Sequence, residues 1–269
     1  MDGVTRLAII GGGRMGEAIA AGLVRSDALP ASAIVICEPD SAKRDRLSTE
    51  HGVTCVADGA EALAGADVVV LAVKPQVINA VLDALAADVG RALVVSIAGG
   101  VTCARIESHL PAGARVVRVM PNTPALVGQG MSIVSGGDEA SADDVRIVED
   151  LFASVGDVVV LPESLQDACT AISGCGPAYM ALFVDALARA GVREGLTRDL
   201  AERLALQTMA GTVELIRATG QHPEQIVDAV SSPGGSTIAA VTALEAGGVR
   251  AAIADAVRAA VQRSQELGR

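Results

Sequence analysis

Tryptophan is absent from the 269 residues, tyrosine occurs once and phenylalanine twice. A core must therefore be built from Ala, Val, Leu and Ile, which suits helix packing and buried parallel strands. Positive charge is scarce: 21 Lys and Arg stand against 32 Asp and Glu, a formal net charge of −11. A nucleic-acid partner needs a basic footprint and is not expected. The three histidines (His51, His109, His222) are scattered, and the five cysteines (Cys37, Cys55, Cys103, Cys169, Cys175) show no Cys-x-x-Cys spacing. That inventory predicts no metal site and no disulfide framework, and a reducing cytoplasm as the compartment.

Long hydrophobic runs are missing too. The apolar stretch before the first glycines is too short for a signal core. A long uncharged stretch, between Asp167 and Asp185, is interrupted by Gly174, Gly176 and Pro177. It reads as the buried helix of a soluble protein with a break near its start, and no membrane partner is expected.

What is present is apolar surface in quantity: 51% of the residues are hydrophobic, and the length suits two domains. Short apolar runs at Val4–Ile10, Ile34–Cys37, Val68–Val73, Leu93–Ile97, Arg115–Val119 and Val158–Leu161 alternate with amphipathic stretches such as Arg14–Arg25 and Gln76–Ala87. This predicts an α/β domain over 1–162, a Rossmann-like, doubly wound parallel sheet with helices on both faces. After Pro162, period-four spacing takes over, as in Leu204, Thr208, Gly211 and Leu215, or Ile253, Val257 and Val261. Residues 163–269 are therefore expected to form an all-helical domain, with helix starts marked by Thr197 and Pro223.

The first apolar run leads directly into Gly11-Gly12-Gly13-Arg14-Met15-Gly16. Gly11, Gly13 and Gly16 occupy the G-x-G-x-x-G positions, which serve a tight turn, close approach of backbone to a pyrophosphate, and close helix–strand packing. The following helix start, with Arg14 and Met15, would offer N–H groups to the anion. A glycine trio alone is weak, but its place between a strand and a helix favours a dinucleotide over a plain Gly-rich turn. Glu38, 22 residues past Gly16, ends the second run and could accept from the adenine ribose, favouring NAD. Lys43 and Arg44 follow and could meet a 2′-phosphate, or simply belong to a solvated helix face. NAD and NADP both remain open.

Four further segments carry a resemblance: Ala72-Val73-Lys74-Pro75; Val119-Met120-Pro121-Asn122-Thr123-Pro124; Ser173-Gly174-Cys175-Gly176-Pro177-Ala178-Tyr179; and Val230-Ser231-Ser232-Pro233-Gly234-Gly235-Ser236-Thr237-Ile238 with Leu244-Glu245-Ala246-Gly247-Gly248. Together they resemble pyrroline-5-carboxylate reductase, the family that closes proline biosynthesis, from the first strand to near the C-terminus. Ser-Ser-Pro-Gly-Gly-x-Thr is the most specific mark, and Cys175 departs from a serine common in the family. The resemblance implies NAD(P)H-dependent reduction of 1-pyrroline-5-carboxylate to L-proline. By position it implies a substrate loop of Ser232, Gly234, Gly235, Ser236 and Thr237, with Thr237 in the catalytic role.

Residue chemistry agrees with an imine substrate. The Gly-Gly-Ser-Thr run supplies closely spaced N–H donors for a carboxylate, and Thr237 a hydroxyl that donates or accepts. A protonated imine is already electrophilic. No Lys or His base is therefore needed, and Tyr179, Met180 and Ala181 stand where related hydroxyacid dehydrogenases would place a lysine. Ala72, Val73, Lys74 and Pro75 end a strand at the expected ligand edge, although Lys74 could equally be a surface lysine and Pro75 a helix start. Asn122 could present groups to the nicotinamide or serve only turn geometry. Tyr179 reads as packing, Glu245 as a helix-end charge, and Cys175 as a small core residue.

Helices so rich in Ala and Gly make a weak isolated core, which predicts a homodimer interlocked through the C-terminal domain. The resemblance suggests larger assemblies of dimers. Two rivals remain: an oxidoreductase of this architecture acting on another imine, a hydroxyacid or a deazaflavin, and a non-catalytic dinucleotide-binding protein. A catalytic lysine or an added ring-binding segment would mark the first, and neither is visible. An intact loop at 231–237 argues against the second.

Overall fold

A computed structural model describes residues 3–267. Eight strands form one sheet: β1 (Leu7–Ile10), β2 (Ile34–Cys37), β3 (Thr54–Val56), β4 (Val68–Leu71), β5 (Leu93–Ser96), β6 (Val116–Met120), β7 (Gly130–Gly136) and β8 (Gly156–Val160). Their order is β3-β2-β1-β4-β5-β6-β7-β8; β1 to β6 run parallel, whereas β7 is antiparallel to β6 and parallel to β8. Between them lie α1 (Arg14–Arg25), α2 (Ser41–His51), α3 (Gly59–Leu63), α4 (Ile78–Leu85), α5 (Cys103–Glu107) and α6 (Ala142–Ala153).

The apolar strands work because both faces are covered. Ile9, Ile36 and Val70 pack with Ile19 and Leu23 of α1 on one side; Ala8, Ile10 and Leu71 pack with Ile78 and Leu82 of α4 on the other. Alternate residues of one strand thus feed two cores, as a period of two requires. Helix α2 begins where the Asp40 carboxylate accepts the Lys43 N–H and ends at Gly52, φ +70°.

After β8 the chain is helical: α7 (Gln166–Cys169), α8 (Gly176–Arg193), α9 (Arg198–Thr219), α10 (Pro223–Val230), α11 (Ser236–Ala246) and α12 (Val249–Leu267). Thr197 caps α9 and Pro223 opens α10, as the sequence predicts. By contacts the chain divides into two compact units. One holds the residues up to Cys175 together with those from Ala260 on; the other is Gly176–Ala259. The division thus falls later than the change of pattern at Pro162. Its physical reason is a set of polar ties. Buried Arg118 of β6 pairs with Glu163 at 3.0 Å, and the Gln166 amide donates to Ser135 Oγ at 3.0 Å. The end of α12 joins the same unit where Ser264 Oγ donates to Asp167 at 2.7 Å.

One expectation fails. The uncharged stretch after Asp167 lies in a helical run, Glu163–Arg193, long and apolar enough to cross a membrane, and only 11% of its most apolar part is buried in the chain. Met180 and Leu182 are exposed rather than internal. The predicted break does occur, as a π-helical turn over Thr170–Gly174. Short helical periods identify an apolar stripe but not which molecule covers it.

Candidate active site

In the order of the sheet, β1 lies between β2 and β4, the point where strand order reverses and a crevice opens at the carboxyl ends. Gly11 stands there with φ +112°, and a Cβ on it would lie 2.6 Å from the Ala72 carbonyl oxygen. A Cβ on Gly16 would lie 2.2 Å from the Gly11 carbonyl oxygen. The β1 and β4 turns therefore touch backbone to backbone, which only glycine allows. Gly13 is different: it faces open space, and as N-cap of α1 it offers no side chain to the helix N–H groups. Gly13 and Arg14 are exposed, Met15 is half-buried, and Gly12 and Gly16 are buried. Such an uncapped helix start on a glycine turn accommodates a phosphate.

Glu38 follows β2 but does not face outward. It is only 6% exposed; its carboxylate accepts the Gly12 N–H at 3.2 Å and the Asp40 N–H at 3.1 Å. Lys43 Nζ lies 3.8 Å from it, and the Arg44 guanidinium donates to the Glu38 and Pro39 carbonyls at 2.8 Å each. Beside this, Arg46 binds both Glu17 oxygens at 2.7 Å and Glu50 at 2.6 Å. That hydrogen bond from Arg46, helped by His51, holds the Glu17 carboxyl down at about 2. Ligand atoms of Glu17, Glu50 and His51 converge within 4.8 Å, but the guanidinium already supplies their cation.

Along the same edge, Ala72 and Val73 are half-buried after β4. Exposed Lys74 precedes a 3-10 turn that Pro75 opens. Three positions outside the predicted site, Gly99, Met120 and Gly174, lie further on, the last two within segments that carry the resemblance. A Cβ on Gly99, after β5, would reach the Met120 thioether at 3.8 Å, and one on Gly174 would reach it at 3.3 Å. Small residues directly after the Leu93–Ile97 run were the legible signal for Gly99. Nothing in the sequence places Gly174 beside it. Asn122 spends its amide within the protein: Nδ2 donates to the Ser173 carbonyl at 3.0 Å, and Oδ1 accepts the Met131 N–H at 2.8 Å. Burial, with Glu163 and Glu107 nearby, pushes the Cys103 thiol up to about 12 and keeps it from acting as a thiolate.

In the helical unit, the segment after α10 turns sharply. Gly235 N–H donates to the Ser232 carbonyl at 3.0 Å, and Gly234 adopts φ +67°. Gly235 is the N-cap of α11 and provides no side-chain cap, so Ser236 and Thr237 open a helix with unsatisfied N–H groups. Ser232, Gly234 and Ser236 are exposed, whereas Gly235 and Thr237 are half-buried. These five residues, far from the first glycine turn in sequence, form a second anion-ready turn.

Residues 163–267 match a family model described as pyrroline-5-carboxylate reductase dimerisation, and residues 6–100 match one described as NADP oxidoreductase, coenzyme F420-dependent. A pyrroline-5-carboxylate reductase of Synechocystis is 48% identical over 98% of each chain. Among solved structures, that of Coxiella burnetii pyrroline-5-carboxylate reductase superimposes with TM-score 0.93 at 35% identity, covering 99% of both chains. The NADP-bound Plasmodium falciparum pyrroline carboxylate reductase gives 0.90 at 33% identity over the full length of both. With relatives this similar from end to end, the chain belongs to the pyrroline-5-carboxylate reductase family.

Proposed function

We propose that this chain reduces the carbon–nitrogen double bond of 1-pyrroline-5-carboxylate to give L-proline, the last step of proline biosynthesis. The observation that carries the reading is the glycine-capped start of α11. It sets free N–H groups beside the Thr237 hydroxyl, on a segment whose sequence is Ser-Ser-Pro-Gly-Gly-Ser-Thr. Those N–H groups hold the substrate carboxylate, with Ser232, Gly234, Gly235 and Ser236 shaping the turn. Thr237 makes a hydrogen bond to the ring nitrogen and orients it. Because the protonated imine is electrophilic, no side chain has to remove a proton first.

The first glycine turn fits a dinucleotide: Gly11 and Gly16 sit where a Cβ would strike backbone, while Gly13 leaves the approach to the α1 N-terminus open. NADPH or NADH, when bound, supplies the hydride. Gly11, Gly13, Arg14, Met15 and Gly16 hold its diphosphate, and Ala72, Val73, Lys74 and Pro75 line the next strand edge. Glu38 acts on the cofactor through the glycine turn it anchors, and exposed Lys43, 3.8 Å from Glu38, is available to a 2′-phosphate. The protein works as a homodimer, which can build larger assemblies, in the cytoplasm. The exposed apolar side chains of α8 and α12 and the five free cysteines support this.

The deciding experiment follows NADPH and NADH oxidation at 340 nm with and without pyrroline-5-carboxylate. Substrate-dependent oxidation that yields L-proline is the expected result, and the faster nucleotide settles cofactor choice. Equal oxidation with and without the substrate would defeat the proposal.

A further inference from the structure

Pro177 has no N–H, so the carbonyl of Ser173, four residues earlier, lacks the donor that helical geometry would give it. Asn122 supplies one instead: its Nδ2 lies 3.0 Å from that oxygen. With Oδ1 it holds the Met131 N–H at 2.8 Å. One amide thus joins three pieces of backbone, namely the end of β6, the entry to β7 and the π-helical turn Thr170–Gly174. One hydrogen of Nδ2 and one lone pair of Oδ1 are thus committed to the protein's own backbone.

The three pieces meet around Met120. Gly99 and Gly174 both approach its thioether end, at the carboxyl edge of β5 and β6, the edge along which such sheets bind their ligands. A Met is flexible and takes its position from what surrounds it. If the turn at 170–174 drifts, Gly174 retreats and Met120 loses one of the neighbours that hold it in place.

We infer that Asn122 is a positioning residue for hydride transfer, acting through the Ser173 carbonyl and Met120 without touching the cofactor. This rests on the reductase reading above. Asn122→Asp keeps an oxygen for the Met131 N–H but replaces the donor to Ser173 with a second acceptor. Pro177→Ala restores an N–H at the position the Ser173 carbonyl lacks. The two form a double-mutant cycle with a readout independent of activity.

Thermal unfolding of the four full-length proteins is the first measurement. Asn122→Asp is expected to lower Tm by roughly 3 °C or more, and by less than half as much when residue 177 is alanine. Refolding of an insoluble Asn122→Asp by the added Pro177→Ala is the extreme form of the same result. An equal loss in both backgrounds, or failure of both to fold, overturns the assignment. The second measurement separates positioning from contact. In Asn122→Asp, kcat with pyrroline-5-carboxylate should fall about tenfold or more. The deuterium isotope effect from 4-deuterated NADPH should rise, and the NADPH Kd, by fluorescence titration, should stay within about twofold. A Kd that rises as far as kcat/KM falls overturns the inference in favour of direct contact. Wild-type protein silent toward pyrroline-5-carboxylate would refute the functional reading, while the Tm cycle would still decide whether Asn122 serves Ser173.

Discussion

The Glu38 carboxylate, at the end of β2, accepts the N–H of Gly12 at 3.2 Å from inside the protein. The acid expected from the sequence to meet the adenine ribose thus braces the first glycine turn, with Lys43 nearby as its counter-charge.

Glu38→Ala should on this geometry weaken NADH and NADPH alike. Losing a buried, charge-assisted acceptor costs about 1.5–3 kcal/mol, so each Kd should rise about tenfold or more in fluorescence titrations. Were Glu38 a direct ribose ligand, NADH affinity alone would fall and NADPH would hold or gain.

Gly11→Ala meets two barriers at once, a φ of +112° and a Cβ 2.6 Å from the Ala72 carbonyl oxygen. Strain of about 1–3 kcal/mol should lower Tm and abolish nucleotide binding. Gly13→Ala faces open space and should keep its Tm. Calorimetry on the two variants checks the contrast.

The parallel half of the sheet was legible because strands buried on both faces leave nearly unbroken apolar runs, and five of β1 to β6 did so. β3 escaped notice as three edge residues, Thr54-Cys55-Val56. β7 escaped because buried Ser132 and Ser135, one on each face, break its apolar run. The first glycine turn could be read from local spacing, and the second from the motif that carries the resemblance. The partners of Asn122 could not: Pro177 marks the Ser173 carbonyl as short of a donor, but only folding brings that carbonyl, 51 residues away, to the amide. The exposure of α8 was misread for a related reason, since an apolar stripe looks the same whether it faces its own chain or another.

Glu17 predicts an acid limb in the stability curve. Its pairing with Arg46 depresses the carboxyl from 4.5 to about 2 in the folded protein. A depressed pKa contributes stability that is fully present above the unfolded value and lost as pH falls through the folded one. Glu17→Gln should therefore lower Tm at pH 7, with the gap to wild type closing between about pH 4.5 and 2. Solvent reaches the pair, so the gap corresponds to about 1 kcal/mol or less. A gap that persists unchanged at the acid end would assign it to packing.

Thr237→Ala should leave Tm unchanged, because the residue opens α11 half-buried and makes no side-chain hydrogen bond among the described residues. Its effect belongs to the chemistry: kcat/KM for pyrroline-5-carboxylate should fall well beyond about twofold, which is only 0.4 kcal/mol. Thr237→Ser should restore most of the loss, since it returns the hydroxyl. Activity within twofold of wild type in the alanine variant would remove Thr237 from the proposed role.

The exposed apolar side of the helical unit predicts the assembly. A groove of about 220 Å³ is lined by Tyr179, Met180, Leu182, Phe183, Val249 and Ile253, with Leu182 67% exposed in the single chain. The matched family model names this region for dimerisation. A second copy covering it would bury these side chains at about 25 cal/mol per Å², and a charge in their midst would leave an unpaired ion in that interface. Ile253→Asp should therefore shift the mass measured by light scattering from a dimer or its multiple toward a single chain at micromolar concentration. The strands and first glycine turn belong to the other unit, so NADPH binding should survive in the variant. A wild-type protein that already runs as one chain at that concentration would sink the dimer.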